Sequence, residues 1–204
     1  MVLSSEPTDN VTLALLNNDP TEVSVSPTTL TFSSGNWSIS QVITLIGVDD
    51  NVSDDNQTTL LTLTPSGGDY GSVSAQTLTV TTSDNDTAGL TVVESGGGTT
   101  AVEGGDNDTF TVRLASRPTG SVVLSVQASN SADVSVNPTT LSFDNGSSSW
   151  QTAQIVTVSA VNDAVDDDNV TSTITVSVNT SSTTDGKYDL VSSDNLTVTT
   201  NDAP

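Results

Sequence analysis

The chain has 204 residues and carries 25 Asp and Glu against three Lys and Arg, a formal net charge of −22, with no His and no Cys. That balance excludes nucleic acid and an anionic membrane surface as partners, because both would repel it. It also removes disulfides and the imidazole and thiol groups behind most catalytic bases and nucleophiles, and Lys187 is the only lysine, so the chain is not expected to be an enzyme.

Charge this high marks either disorder or a fold neutralised by cations, and Val, Leu and Ile at strand spacing point to the fold. Met1 is followed by VLSSEPTDN, which has neither a basic nor an apolar leader segment. Val11, Leu13 and Leu15 alternate with polar or small residues, the period of a half-buried strand. VSVSPTTLTF (23–32) and the pair Asn36-Trp37 follow. Ile43 and Leu45 then lie on a strand that runs into the acidic loop GVDDNVSDDNQT (47–58). Leu61 and Leu63 mark the next strand, Tyr70 precedes the last, and Leu78 and Val80 close this half before SDND (83–86).

The same order then recurs. ASRPTGSVVLSV (115–126) lies over SSEPTDNVTLAL (4–15) at an offset of 111, and VSVNPTTLSF (134–143) differs from 23–32 at two positions. After a two-residue insertion Trp150 falls on Trp37, Gln154 on Gln41 and Asp163 on Asp50, and later Tyr188 falls on Tyr70. The core face of the second copy reads Val122, Leu124, Val126, then Val156 and Val158, Ile174 and Val176, Leu196 and Val198. Thr44, Thr62, Thr79, Thr157, Thr175 and Thr197 face outward, which suits β-branched residues on a wet sheet face.

No window carries a helical period. The reading is all-β: two tandem Ig-like antiparallel sandwiches, residues 1–86 and 87–204. The first lacks its opening strands, because only MVLSS precedes its Pro-Thr turn where the second has AGLTVVESGGGTTAVEGGDNDTFTV (88–112). An unpaired sheet edge and an open core groove follow from that gap. Two arrangements account for it: a repeat within a longer array, or a strand supplied head to tail by a neighbouring copy.

The ordered motifs VEGG (102–105), RPTGSV (117–122), VSPTTLTF (25–32), Asn36-Trp37, QVITLIGVDD (41–50) and SDND (83–86) make the chain resemble the Calx-β superfamily, and more closely the tandem repeats of bacterial surface adhesins. The resemblance implies an extracellular stalk or filament module that binds calcium near domain junctions. By the family pattern Glu103, Asp163 and Asp202 would hold Ca2+ in the second repeat, and Asp49, Asp50, Asp84 and Asp86 in the first, whose opening glutamate is absent. Asn162 stands where the first repeat has Asp49, and the terminal NDAP replaces DND, so the second site departs from the pattern. Calcium takes about six to eight oxygen ligands, which converging acidic loops supply well. The competing reading is that Asp and Asn are good turn residues on a solvated face, and it applies equally to Asp54, Asp55, Asp166, Asp167 and Asp168.

Ten of the sixteen asparagines open N-x-S/T sequons: Asn10, Asn36, Asn51, Asn56, Asn85, Asn107, Asn145, Asn169, Asn179 and Asn195. They are candidate glycan acceptors; a Ser/Thr/Asn-rich surface kept soluble by composition alone is the alternative. Trp37 and Trp150, each before a strand, suit plugs at the sandwich end better than sugar-stacking platforms, and Tyr70 and Tyr188 suit packing. The function expected is a structural repeat of a surface filament or adhesin stalk, joined to further copies. A carbohydrate-binding or accessory module of a secreted protein is the rival.

Overall fold

A computed structural model describes residues 1–146, 148–162 and 168–202. The chain divides into two compact units. Unit 1 comprises Met1–Asp50 and Asp55–Asp84, and unit 2 comprises Asn51–Asp54 and Asn85–Pro204. The tetrapeptide Asn51–Asp54 therefore groups with unit 2. There the Asn51 carbonyl accepts the Arg117 backbone N–H at 2.6 Å, and Val52 forms an isolated parallel bridge with Arg117.

Unit 1 contains β1 (Val11–Asn17), β2 (Val23–Ser26), β3 (Thr29–Phe32), β4 (Thr44–Gly47), β5 (Gln57–Ser66) and β6 (Gln76–Thr82). These form one sheet in the order β3-β1-β5-β6 and a two-stranded sheet β2-β4. Unit 2 contains β7 (Leu90–Glu94), β8 (Thr99–Val102), β9 (Asp108–Leu114), β10 (Val122–Ala128), β11 (Val134–Asn137), β12 (Thr140–Phe143), β13 (Gln154–Ala160), β14 (Val170–Val178) and β15 (Asp194–Asn201). Its sheets run β12-β10-β14-β15-β8 and β11-β13-β9-β7. Strands β10 to β15 repeat β1 to β6 one for one. Among the described residues unit 1 has no counterpart of β7 and β8, and of β9 it has only the run from Met1 to Leu3.

The architecture is the Ig-like β-sandwich, with one ladder departing from the antiparallel expectation: β8 pairs parallel with β15, Val198 opposite Thr99. The reason is the path of the chain. Both β7 and β9 lie in the other sheet, and β8 is a short excursion between them that meets β15 running the same way.

Alternation produces the core. In β14 the pattern places Ser172, Ile174 and Val176 inward, and in β5 it places Thr59, Leu61, Leu63 and Pro65 inward. Unit 2 buries one continuous cluster in which Phe110, Val112, Leu124, Val156, Val158, Ile174 and Val198 are all fully buried. Unit 1 instead holds two smaller clusters, one around Leu3, Val11, Leu30 and Phe32 and one around Leu15, Leu61 and Leu63. No β9-type aromatic joins them. Each CH2 removed from water contributes about 0.8 kcal/mol, so the divided core leaves unit 1 with the smaller hydrophobic stabilisation.

Candidate functional site

The acidic segments singled out from the sequence are brought together end to end within each unit. In unit 1 the loop after β4 meets the segment after β6. The Asp55 N–H donates to Asp84 Oδ2 at 2.9 Å, and the Asp84 N–H donates to Asn56 Oδ1 at 3.0 Å. Asp55 takes φ 68°, and Asp168, its repeat counterpart, takes φ 61°, so both copies turn through the left-handed region at the same residue. Aspartate tolerates that region because its short side chain bonds locally. The base of each loop is pinned alike: Val48 N–H to the Glu22 carbonyl and Val161 N–H to the Asp133 carbonyl, both at 2.9 Å.

In unit 2 the β8–β15 register continues past Asn201 and Val102, with the Glu103 N–H bonded to the Asn201 carbonyl at 3.0 Å. That places Glu103 beside Asp202. Glu103 is buried at 8 % exposure. The end of β13 approaches the same place, since a Cβ on Gly104 would lie 3.1 Å from Asn162 Nδ2. The opening glutamate, the strand end and the terminal stop thus converge as three segments. Asp163, Asp166 and Asp167 lie outside the described residues. Among the described residues no group of three or more acidic side chains is gathered to hold a metal ion. Asp49 and Asp50 are exposed, and Asp84 and Asp86 are half-buried.

Of the sequon asparagines, Asn10, Asn51, Asn56, Asn85, Asn107, Asn145, Asn169 and Asn195 are exposed, whereas Asn36 and Asn179 are half-buried. The Asn36 side chain bridges the Ser33 N–H at 2.6 Å and the Thr31 carbonyl at 3.3 Å, which ties it to its turn. Trp150 is 8 % exposed and part of the unit 2 core, and Trp37 packs against the unit 1 core. Their carbonyls do equivalent work, accepting Leu114 N–H at 2.9 Å and Leu3 N–H at 3.0 Å. With its rings buried, Trp150 offers no face on which a sugar could stack.

Two further acids, Asp185 buried and Asp108 half-buried, were not apparent from the sequence. Asp185, 2 % exposed, accepts the Thr119 N–H at 2.6 Å, the Thr119 hydroxyl at 3.1 Å and the Lys187 N–H at 2.8 Å. Burial pushes its carboxyl upward, but those donors outweigh burial and hold it below the ordinary carboxylate value. Asp108 is balanced the same way: burial raises it, and bonds from the Ser95 hydroxyl and the Thr100 and Thr109 N–H groups bring it down. Both acids clamp loops. Tyr188 is fully buried and donates its hydroxyl to the Ser116 carbonyl at 2.6 Å; Tyr70 repeats the bond to Ser5 at 3.1 Å.

The second notable feature is an open apolar groove in unit 1 of about 390 Å³, lined by Leu15, Ile43, Leu45, Leu61, Leu63 and Leu78 among others. Leu78 is 47 % exposed, while its counterpart Leu196 in unit 2 is 4 % exposed.

Neither a family model nor a curated protein matches this chain. Among solved structures it is similar to surface layer protein SbsC, domains 1-6, at 18 % identity and a TM-score of 0.40 over 94 % of this chain and 20 % of that one. It is similar to CBD12 from CALX1.2 at 15 % identity and a TM-score of 0.36, over 86 % of this chain and 70 % of that one. The calcium binding domain CBD12 of CALX1.1 matches at 14 % identity and 0.35 over the same shares. The chain spans about a fifth of the SbsC chain it matches. Among the described residues no helix is long and apolar enough to cross a membrane.

Proposed function

We propose that this chain is a non-catalytic structural repeat of an extracellular surface filament or adhesin stalk, joined head to tail to further copies. The observation that carries the reading is the duplication itself: strands β1 to β6 recur as β10 to β15 with the same registers, Leu13 opposite Leu30 in one and Leu124 opposite Leu141 in the other. A repeated sandwich with a hydroxyl-rich exterior and a charge of −22 suits a long, non-aggregating thread. The eight exposed sequon asparagines would take glycans without disturbing the core.

Calcium belongs to this proposal through its charge chemistry. Glu103 and Asp202 would hold it in unit 2, and Asp84 with Asp86 in unit 1, each neutralising acidic segments that otherwise repel. Electron microscopy of native surface material, labelled with antibody to this chain, tests the reading. Label along cell-attached threads is the expected result, and label confined to the cell interior would overturn it. A thermal melt tests the metal separately: EGTA lowers the midpoint if calcium is bound, and an unchanged midpoint removes calcium from the account.

A further inference from the structure

The turn after β12 holds the chain's only Asn-Gly pair, Asn145-Gly146. An asparagine before glycine is open to attack on its side-chain amide by the next backbone nitrogen, because glycine has no Cβ to crowd the approach. That attack is slow unaided, since an amide N–H is a very weak acid. Here the peptide unit joining the two residues is gripped at both ends. The Gly146 N–H donates to Asp144 Oδ1 at 2.8 Å, and the Asn145 carbonyl accepts the Nε–H of exposed Arg117 at 3.1 Å. A carboxylate thus stands where the proton leaves, and a guanidinium stands where the charge of the deprotonated amide collects. Asp144 is kept ionised, because the Ser149 hydroxyl and the Gly146 N–H hold its carboxyl below the ordinary value. Asn145 itself is exposed, and its side chain is anchored by Nδ2–H donating to the Thr119 carbonyl at 3.4 Å.

The first repeat supplies the contrast. Its equivalent turn reads Ser33-Ser34-Gly35, and the Ser33 hydroxyl oxygen accepts the Gly35 N–H at 3.3 Å. That bend closes with neither a carboxylate nor an asparagine, so making the turn does not require Asp144 or Asn145.

We propose that Asn145 is a self-modification site, at which the folded chain converts its own asparagine to aspartate and isoaspartate. The Gly146 nitrogen passes its proton to Asp144 and bonds to Asn145 Cγ. The Cγ–Nδ2 bond breaks, and Nδ2 takes the proton from Asp144 and leaves as ammonia. Water then opens the cyclic imide at Cγ, giving aspartate, or at the former backbone carbonyl, giving isoaspartate. In sum, water is consumed, ammonia is released and a neutral amide becomes a carboxylate. No enzyme takes part, so the change accumulates with the age of the material. A glycan on Asn145 Nδ2 occupies the leaving group, which makes glycosylation and this conversion mutually exclusive at that residue.

The test incubates the full chain, produced without glycans, at neutral pH both folded and in urea, and follows Asn145 by peptide mapping with mass spectrometry. The folded chain should convert Asn145 at least about tenfold faster than the unfolded one, with isoaspartate among the products. Asp144→Ser should slow the folded chain at least about tenfold. Arg117→Gln should slow it at least about threefold, the smaller effect of an exposed charge. Both variants should convert like the parent in urea, where these contacts are gone. Serine closes the bend in the first repeat, and Trp150 fluorescence checks that both variants remain folded. Conversion in urea as fast as in the folded chain overturns the proposal, as does either variant that keeps the parent's folded rate.

Discussion

Replacing Phe110 by alanine should convert the core of unit 2 toward that of unit 1. Phe110 is fully buried, sits in β9 between β7 and β13, and lies opposite Val156 on one side and Glu94 on the other. The unit 2 cluster is continuous around it, so its loss leaves a cavity that the flanking sheets close only in part. Substitutions of this kind cost about 3–5 kcal/mol. With a urea m-value of about 2 kcal/mol/M, a cost near 4 kcal/mol lowers the unit 2 midpoint by about 2 M. The assay is available in the sequence, because Trp150 lies in the unit 2 core and Trp37 against that of unit 1. In a Trp37→Phe background, fluorescence follows unit 2 alone. The control is Val93→Ala, at a residue 57 % exposed on β7, which should move the midpoint little. A Phe110→Ala shift no larger than that of Val93→Ala would refute the argument that β9 closes the core.

Asp185→Asn should destabilise unit 2 by about 2 kcal/mol at neutral pH, since charge-assisted bonds to backbone donors weaken or reverse. The folded carboxyl is held below its ordinary value, so its contribution is complete above the unfolded value near 3.8 and is lost as pH falls through the lower folded one. Urea melts of both proteins should therefore differ at pH 7 and converge in strong acid; a constant gap would contradict the clamp. Gly67→Ala should cost unit 1 at least about 1–3 kcal/mol, because Gly67 takes φ 86° and a Cβ there would sit 2.4 Å from the Asn10 carbonyl oxygen. The loss should appear in Trp37 fluorescence. Tyr188→Phe should cost about 1 kcal/mol through the bond to the Ser116 carbonyl, leaving that acceptor without its hydroxyl donor; an unchanged unit 2 melt would show that the bond contributes nothing.

Much of the sandwich was legible because alternation records which face a strand buries. Leu13, Leu15, Leu61 and Leu63 are inward as expected, and Thr44, Thr79 and Thr197 are exposed. Leu78 is instructive in the other direction. Its period places it on the core face beside Val80, yet it stands 47 % exposed, because burial depends on a cover as well as on a face. Its own strand cannot supply that cover. Alternation also carries Thr59 and Ser172, which occupy the same position in the two repeats, onto the core face, where both are buried with hydroxyls that have no hydrogen-bond partner among the described residues.

The acidic segments were legible as segments and not as a cage. The family resemblance implied that the loop after β4 lies by the segment after β6, and the loop after β13 by Glu103 and the segment after β15; in the structure the Asp55 N–H meets Asp84 and the Glu103 N–H meets the Asn201 carbonyl. Which oxygens converge depends on backbone turns that sequence leaves open. Asp185 was missed for a related reason. In the turn sequence TTDGKYD it looks like any other solvated aspartate, and its burial arises from Thr119, 66 residues away along the chain.

The central claim is that one duplicated sandwich has been given two unequal degrees of closure. Equilibrium urea unfolding of the intact chain, followed separately through Trp37 and Trp150 in paired single-tryptophan variants, tests it most directly. The Trp37 transition should come at lower urea, reflecting a core divided in two and a β4 edge with one strand neighbour. Coincident transitions, or a Trp150 midpoint below that of Trp37, would contradict the account.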